Sequence, residues 1–148
     1  MQFRKILCPT DFSDTSRAAL DSAVSLALAL KLGARVTLLH VYQAPGVALP
    51  DGVALGGAEE MTALANMVDA SLRAWQGEAQ ALGMTVDVET AIGATAPEID
   101  RVASEGHYDL IVMGTHGRTG LAKALLGSTA AKVIQKAPCA VLTVRPPK

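Results

Sequence analysis

The chain alternates short apolar runs with longer amphipathic segments over its whole length, and this alternation restricts the fold more than any other feature. Five runs rich in Val, Ile and Leu are typical of buried strands. They are Lys5–Pro9, Arg35–Tyr42, Thr85–Ile92, Leu110–Gly114 and Ala140–Val144. Parallel strands need a crossover between them and are covered on both faces. The pattern therefore predicts the α/β class: an open, doubly wound, parallel five-stranded sheet with helices on both faces.

Helical segments with apolar residues every three or four positions connect these strands. The first has Ser13 or Asp14 as a candidate N-cap, since short polar side chains accept a hydrogen bond from the first turn. The third is predicted to begin at a capping box formed by Thr95 and Glu98. The four segments cover approximately residues 14–32, 59–82, 95–106 and 128–136.

No composition shift divides the chain, and 148 residues is the size of one domain. The segment 43–58 is rich in Gly, Pro and Ala and is long for a connection between a strand and a helix. We expect a single domain, 1–148, in which 43–58 is a flexible loop.

The order of the strands follows from their polarity. In the third strand, Val86 and Val88 alternate with Asp87 and Glu89, which suits a strand that is wet on one face. Such a strand belongs at an edge, so the pattern favours the order 3-2-1-4-5 over the flavodoxin-like order 2-1-3-4-5, in which the third strand is central.

The last strand then forms the opposite edge, although its sequence, AVLTV, is apolar. An exposed apolar edge invites pairing with another chain. We therefore expect a homodimer through Ala140–Val144. The alternative is that the proline-containing tail Arg145–Lys148 protects the edge by itself.

Composition argues against several classes of protein. Aromatic residues make up 3% and the net charge is −1, so neither stacking rings nor a basic field is available for nucleic acid. The apolar stretch 18–32 is interrupted by Asp21 and Lys31 and is not expected to span a membrane. The N-terminal residues lack the pattern of a signal peptide. These features predict a cytoplasmic protein.

Cysteine usage agrees with that location. Cys8 and Cys139 both lie in apolar surroundings, and no Cys-x-x-Cys pair occurs. We expect two free, buried thiols in a reducing compartment, with a structural disulfide as the alternative. No cluster has the spacing of metal ligands.

Ligands of open parallel sheets bind beyond the carboxyl ends of the strands, where the strand order reverses. For the order 3-2-1-4-5 this point lies between the first and fourth strands. The loops 9–13 (PTDFS) and 114–130 (GTHGRTGLAKALLGSTA) meet there, and they are the two most unusual loops of the sequence. Their convergence predicts a ligand site.

The second loop has the composition of a phosphate site. Glycines let backbone N–H groups approach an anion, and a helix N-terminus adds further donors and a partial positive charge. The alternative is a tight turn with an ordinary cap. The residues concerned are Gly114, Gly117, Gly120, Gly127, Ser128 and Thr129.

The loop matches neither the Walker pattern nor the dinucleotide fingerprint. Asp11 ends the first strand, where it either accepts hydrogen bonds from a ribose or an adenine amine, or caps the next helix. Arg118 and Lys123 either supply charge to phosphates or are surface residues. We expect His40 to be a packed or hydrogen-bonded core residue and His107 to face solvent.

Taken together, these segments resemble a known family. The pattern Gly114-x2-Gly117-x9-Gly127-Ser128 resembles the nucleotide-binding signature of universal stress proteins. The resemblance covers nearly the whole chain and includes KILCPTDFS, LLHVY, DLIVMGTHGRTG and PCAVLTVR. It implies the ATP-binding branch of the family, which keeps this motif, whereas a second branch has lost it.

The resemblance implies a role for each matching position. Pro9, Thr10 and Asp11 would line the adenosine part, with Asp11 near adenine and ribose. Val41 would offer backbone groups to adenine. The family also usually dimerises through its last strand, which agrees with the edge argument above.

For the remainder of the nucleotide, the resemblance implies that Met113 and Gly114 lie under the ribose and phosphates. His116 and Arg118 are further candidates within the glycine loop. The residues implied to hold phosphates are Gly117, Gly127, Ser128 and Thr129.

The leading hypothesis is a homodimeric protein that binds ATP or a related adenine nucleotide as a regulatory ligand in stress adaptation, with slow hydrolysis at most. A magnesium ion could accompany the nucleotide. The alternatives are a slow ATPase or nucleotidyl transferase, which needs a residue that activates water, and a nucleotide-free module for protein interaction. No catalytic residue is assigned, and protein partners are unknown.

Overall fold

The computed structural model describes residues 3–30, 33–42, 46–49, 52–55, 57–116 and 126–145. Strands and helices alternate along these residues, as the apolar pattern predicted. The strands are β1 (Lys5–Pro9), β2 (Arg35–Tyr42), β3 (Gly46–Leu49), β4 (Gly52–Leu55), β5 (Val86–Ile92), β6 (Leu110–Gly114) and β7 (Ala140–Val144). The helices are α1 (Asp14–Leu30), α2 (Ala58–Ala81), α3 (Thr95–Glu105) and α4 (Ser128–Lys136).

Five of the strands form one parallel sheet in the order β5-β2-β1-β6-β7. Counted along this sheet alone, the order is 3-2-1-4-5, which confirms the prediction. The edge position of β5 also has the predicted cause, since Asp87 and Glu89 are exposed whereas Val86 is buried.

The core consists of two apolar layers, one on each face of the sheet. Successive residues of a strand point to opposite faces, so Ile6 and Cys8 join the layer under α1 and α2 while Leu7 joins the layer under α3 and α4. All three side chains are fully buried. The central strands are therefore apolar throughout, as strands covered on both faces must be.

The segment 43–58 differs from the predicted loop. It contains an antiparallel hairpin in which β3 pairs with β4, with Gly46 opposite Leu55 and Leu49 opposite Gly52. Both strands have the sequence GVAL, which is short but includes a β-branched residue. The high Gly and Pro content of the segment concealed this repeat.

Two helix starts were predicted from side-chain caps, with different outcomes. The Ser16 N–H donates to Ser13 Oγ at 3.2 Å, so Ser13 rather than Asp14 caps α1. The capping box of α3 was wrong because the helix begins one residue earlier, with Ala94 as its N-cap and no side-chain cap. The Glu98 carboxylate instead accepts a hydrogen bond from Arg101 at 2.7 Å.

Both cysteines are free thiols, as expected. Cys8 is fully buried, and burial raises the pKa of its thiol to about 12. Cys139 is partly buried, which raises its pKa as well. Neither thiol therefore has the lowered pKa of a reactive cysteine.

Among the helices within the described ranges, none is long and apolar enough to cross a membrane.

Asp109 links the start of β1 to the start of β6 by hydrogen bonds. Its Oδ2 accepts hydrogen bonds from the backbone N–H groups of Arg4 and Lys5, both at 2.9 Å, and its own N–H donates to the Lys5 carbonyl at 2.9 Å. The two N–H donors hold the pKa of the Asp109 carboxyl below its usual value, because they stabilise the charged form.

This geometry predicts a pH-dependent contribution to stability. A carboxyl whose pKa is lowered by folding stabilises the protein above its unfolded pKa of about 3.9, and the contribution is lost as the pH falls through the folded pKa. We expect Asp109→Asn to lower the free energy of unfolding at pH 7, with the difference from wild type narrowing below about pH 4. Urea unfolding across pH 3–7 measures this.

The control is Asp87→Asn on the exposed face of the edge strand, where the effect at pH 7 should be small. A stability difference for Asp109→Asn that stayed constant down to pH 3 would contradict the role given to these bonds.

Candidate functional site

A cavity of about 440 Å³ opens at the carboxyl ends of β1 and β6, where the strand order reverses. This is the place that the predicted topology assigned to a ligand. Gly117, Arg118 and Lys123 lie outside the described residues. Ten of the twelve predicted site residues line the cavity: Pro9, Thr10, Asp11, Val41, Met113, Gly114, His116, Gly127, Ser128 and Thr129.

The turn between β1 and α1 forms one wall and is held by hydrogen bonds on every side. The Thr10 N–H donates to the Leu39 carbonyl at 2.8 Å, which extends the pairing of β1 with β2. The buried Thr10 hydroxyl lies 3.0 Å from Ser16 Oγ and accepts the Phe12 N–H at 3.0 Å. The turn is therefore fixed before any ligand binds.

Asp11 sits within this turn and contributes to it. Its Oδ1 accepts the Ser13 N–H at 3.0 Å. This bond spans two residues, as in an Asx turn, and does not cap α1, because that role belongs to Ser13. Asp11 thus has a structural role in addition to its place at the cavity wall.

The opposite wall contains Gly114 and Gly127, and neither position has room for a side chain. A Cβ on Gly114 would lie 2.7 Å from Thr15 Cγ2, and a Cβ on Gly127 would lie 2.8 Å from the Thr115 carbonyl oxygen. The Gly127 N–H also donates to that carbonyl at 2.7 Å. Both positions need glycine for internal packing, whereas the sequence suggested glycine for access to a phosphate.

The N-terminus of α4 faces the cavity. Gly127 is its N-cap, no side chain of the described residues caps the helix, and Ser128, Thr129 and Ala130 line the cavity. The first N–H groups of a helix have no partner within the helix and carry a partial positive charge. This wall therefore offers hydrogen-bond donors suited to an anion.

His116 borders the same wall. Its Nδ1 is 2.9 Å from Thr115 Oγ1, and its Nε2 is a buried atom with no hydrogen-bond partner within the described part of the chain. Among the residues that the structure describes, no carboxylate bonds to this ring, so this part of the site shows no charged partner of the kind that supports a histidine base. Among the described residues, no group of three His, Cys, Asp or Glu side chains could hold a metal ion.

Several residues line the cavity although the sequence patterns did not predict them as site residues. His40 was expected to be a hydrogen-bonded residue, and its Nδ1 does lie 2.8 Å from the Thr10 carbonyl oxygen, but the residue also lines the cavity. Thr95 and Ile99 reach the cavity from the start of α3. The signal was available in the topology, because α3 follows the carboxyl end of β5. His107 is exposed, as predicted.

Comparison with known proteins decides the family. The sequence profile described as the universal stress protein family matches residues 2–145. The chain belongs to the universal stress protein family. A universal stress protein of Methanocaldococcus jannaschii is 38% identical over 148 residues, which cover 99% of this chain and 84% of that protein.

Solved structures of universal stress proteins share the fold. UspA from Lactobacillus plantarum superimposes on this universal stress protein with a TM-score of 0.76 at 26% identity, covering 98% of this chain and 99% of that one. A universal stress protein solved in complex with cAMP gives a TM-score of 0.70 at 26% identity, covering 99% of this chain and 100% of that one.

The packing around Gly127 leads to a stability prediction. We expect Gly127→Ala to destabilise the protein by about 1–3 kcal/mol, because the new methyl group meets a backbone oxygen that cannot rotate away. Thermal or urea unfolding measures the change.

The matched control is Gly77→Ala in the middle of α2, where a Cβ meets nothing within 4 Å. This variant should gain up to about 1 kcal/mol from the higher helix propensity of alanine. Wild-type stability of Gly127→Ala would show that the glycine is not required by the fold.

Proposed function

We propose that this universal stress protein binds an adenine nucleotide in the cavity between β1 and β6 and that the nucleotide acts as a regulatory ligand. The observation that carries the proposal is the composition of the cavity walls. One wall presents the N-terminus of α4, the other presents Asp11, and apolar side chains lie between them. A family member of 26% identity is solved in complex with cAMP, which supports the same class of ligand here.

The dimensions and polarity of the cavity fit a nucleotide. Small-molecule pockets are typically about 300–1,000 Å³, and this one is about 440 Å³. Buried Leu39, Ile99 and Met113 supply apolar contact for a base or sugar. The lining also includes polar side chains such as Asp11, Ser128 and Thr129, which can orient a ligand by hydrogen bonds.

Each end suits a different part of the ligand. The Asp11 carboxylate would accept hydrogen bonds from ribose hydroxyls or the adenine amine, and the Val41 backbone would face the base. At the other end, Gly127, Ser128 and Thr129 would hold phosphate oxygens, since a helix N-terminus favours negative charge. A carboxylate repels phosphate, so the orientation with Asp11 at the nucleoside is the favourable one.

A regulatory ligand fits these walls better than a substrate that is rapidly turned over. Within the described ranges His116 has no carboxylate partner, and its Nδ1 lies 2.9 Å from Thr115 Oγ1. We therefore propose ATP or a related adenine nucleotide, with or without magnesium, and hydrolysis that is slow at most. The same proposal places the protein in the cytoplasm, where adenine nucleotides are available.

Calorimetric titration with AMP, cAMP, ADP, ATP and adenosine tests the proposal. We expect AMP to bind more tightly than adenosine, because only AMP places a phosphate at α4. Asp11→Asn should weaken AMP binding about tenfold, since a charge-assisted hydrogen bond is lost while the amide oxygen can still accept the Ser13 N–H.

Asp14→Asn is the control, because Asp14 is exposed at the start of α1 and lies outside the cavity. Its affinity for AMP should match wild type. The absence of binding by every nucleotide, with the wild-type protein folded, would refute the proposed function.

We also propose that the protein is a homodimer through β7. This strand is an edge of the five-stranded sheet and pairs with β6 alone in that sheet. Leu142 at its centre is 42% exposed, and Ile134 on α4 is 45% exposed. Pairing with a second copy would cover the edge and its apolar side chains.

Leu142→Lys tests the dimer with little expected effect on the protomer, because the side chain is already exposed. We expect sedimentation velocity to show a dimer for wild type and a shift toward monomer for Leu142→Lys. Leu28→Lys on α1 starts from a similar exposure of 43% and should leave the dimer intact. A dimeric Leu142→Lys protein would exclude this edge as the interface.

A further inference from the structure

We propose that His40 is a positioning residue for the nucleotide site, because it holds the turn that carries Asp11. The inference rests on the proposed function for its effect on affinity, but it also has a consequence in the ligand-free protein. His40 lies on β2, about 30 residues from the turn in sequence, and contacts the turn on both sides of Asp11.

The turn contains a backbone conformation that must be stabilised by its surroundings. Phe12 has a φ of +62°, in the left-handed region that a side chain other than glycine adopts only at a cost. Strain of this kind is unfavourable and persists only where surrounding contacts impose it. His40 makes two contacts with the residues on either side of Asp11.

The first contact is made on the N-terminal side of Asp11. The His40 Nδ1 lies 2.8 Å from the Thr10 carbonyl oxygen. A carbonyl oxygen can only accept, so Nδ1 must carry the proton. This holds for the neutral ring with its proton on Nδ1 and for the doubly protonated ring, so the bond exists in both states.

The second contact is made on the C-terminal side of Asp11. The Phe12 ring stacks on the His40 ring with centroids 4.9 Å apart and planes inclined by 30°. The Trp75 ring of α2 packs against the Phe12 ring in a T-shaped arrangement with centroids 5.5 Å apart, and Tyr42 packs against His40 in the same way at 5.2 Å. Such aromatic contacts stabilise a structure beyond the effect of their buried area.

The two contacts bracket Asp11 and fix the backbone on either side of it. The bond from the Phe12 N–H to Thr10 Oγ1 at 3.0 Å closes the same short segment. The His40 ring thus acts through the turn, and the carboxylate at the cavity wall depends on it. A histidine that merely filled space would need the ring volume but not a donor at Nδ1.

Asparagine and glutamine separate these two roles. The side-chain amide of Asn places its N–H₂ near the position of Nδ1, whereas Gln extends it toward the position of Nε2. We expect His40→Asn, which keeps the donor but loses the stacking ring, to bind AMP about threefold more weakly than wild type. His40→Gln, which also loses the hydrogen bond, should bind about tenfold more weakly. Equal AMP affinity of the two variants would overturn the proposal.

A double-mutant cycle tests whether His40 acts through Asp11. The loss caused by His40→Gln should shrink from about tenfold to less than twofold when Asp11 is already replaced by Ala. An undiminished loss in the Asp11→Ala background would show that His40 acts on the ligand by another route and would overturn the proposal.

Trp75 supplies a readout that needs no nucleotide. It is the only tryptophan of the sequence, and its ring contacts Phe12, so its emission reports the state of the turn. In the ligand-free protein we expect a smaller red shift for His40→Asn, which keeps the hydrogen bond to the Thr10 carbonyl, than for His40→Gln, which loses both contacts. Identical spectra for the two variants, or an NMR spectrum of wild type without a proton on Nδ1, would contradict the positioning role.

These readouts distinguish the two hypotheses. If wild type binds no nucleotide, the proposed function fails, and the Trp75 spectra still decide the role of His40.

Should His40→Gln not fold, Phe12→Gly takes its place, since glycine accepts the left-handed backbone but lacks the stacking ring. A weakening of AMP binding of about fivefold is expected for Phe12→Gly, and wild-type affinity would overturn the proposal.

Discussion

The parallel pairing of β1 on both of its edges is the constraint on which the rest of the structure depends. β1 pairs with β2 on one side and with β6 on the other. Right-handed crossovers then place α1 and α2 on one face and α3 and α4 on the other. The chain therefore leaves β1 and β6 toward opposite faces, and the cavity is the space that this divergence opens.

The two walls of the cavity differ in charge, because one carries the Asp11 carboxylate and the other the N-terminus of α4. The wall beside β1 is a hydrogen-bonded turn in which Thr10, Asp11 and Ser13 all take part. The wall beside β6 is a helix N-terminus brought close by Gly127, whose position no larger residue can share. A negative and a positive end at opposite sides favour a ligand with a neutral sugar and base and an anionic group.

The strand order could be predicted because Asp87 and Glu89 mark an edge by their polarity alone. The convergence of the two loops followed from that order. Other features could not be predicted from local patterns. The capping box at Thr95 failed by one residue, and the repeat of GVAL in the segment 43–58 was hidden by its Gly and Pro content. Such boundaries depend on small differences in energy that neighbouring elements settle.

The sequence by itself determined the five strands of the parallel sheet, the four helices, the strand order and the two loops at the cavity, because hydrophobic period and turn chemistry are local properties. Only the tertiary structure decided that His40 contacts the turn around Asp11 and that the Thr115 carbonyl leaves no room for a side chain at position 127. The first depends on a contact between residues that are 30 positions apart. The second depends on the path of the backbone that brings Gly127 back to Thr115. Residue spacing carries no information about such distances until the sheet has brought the strands together.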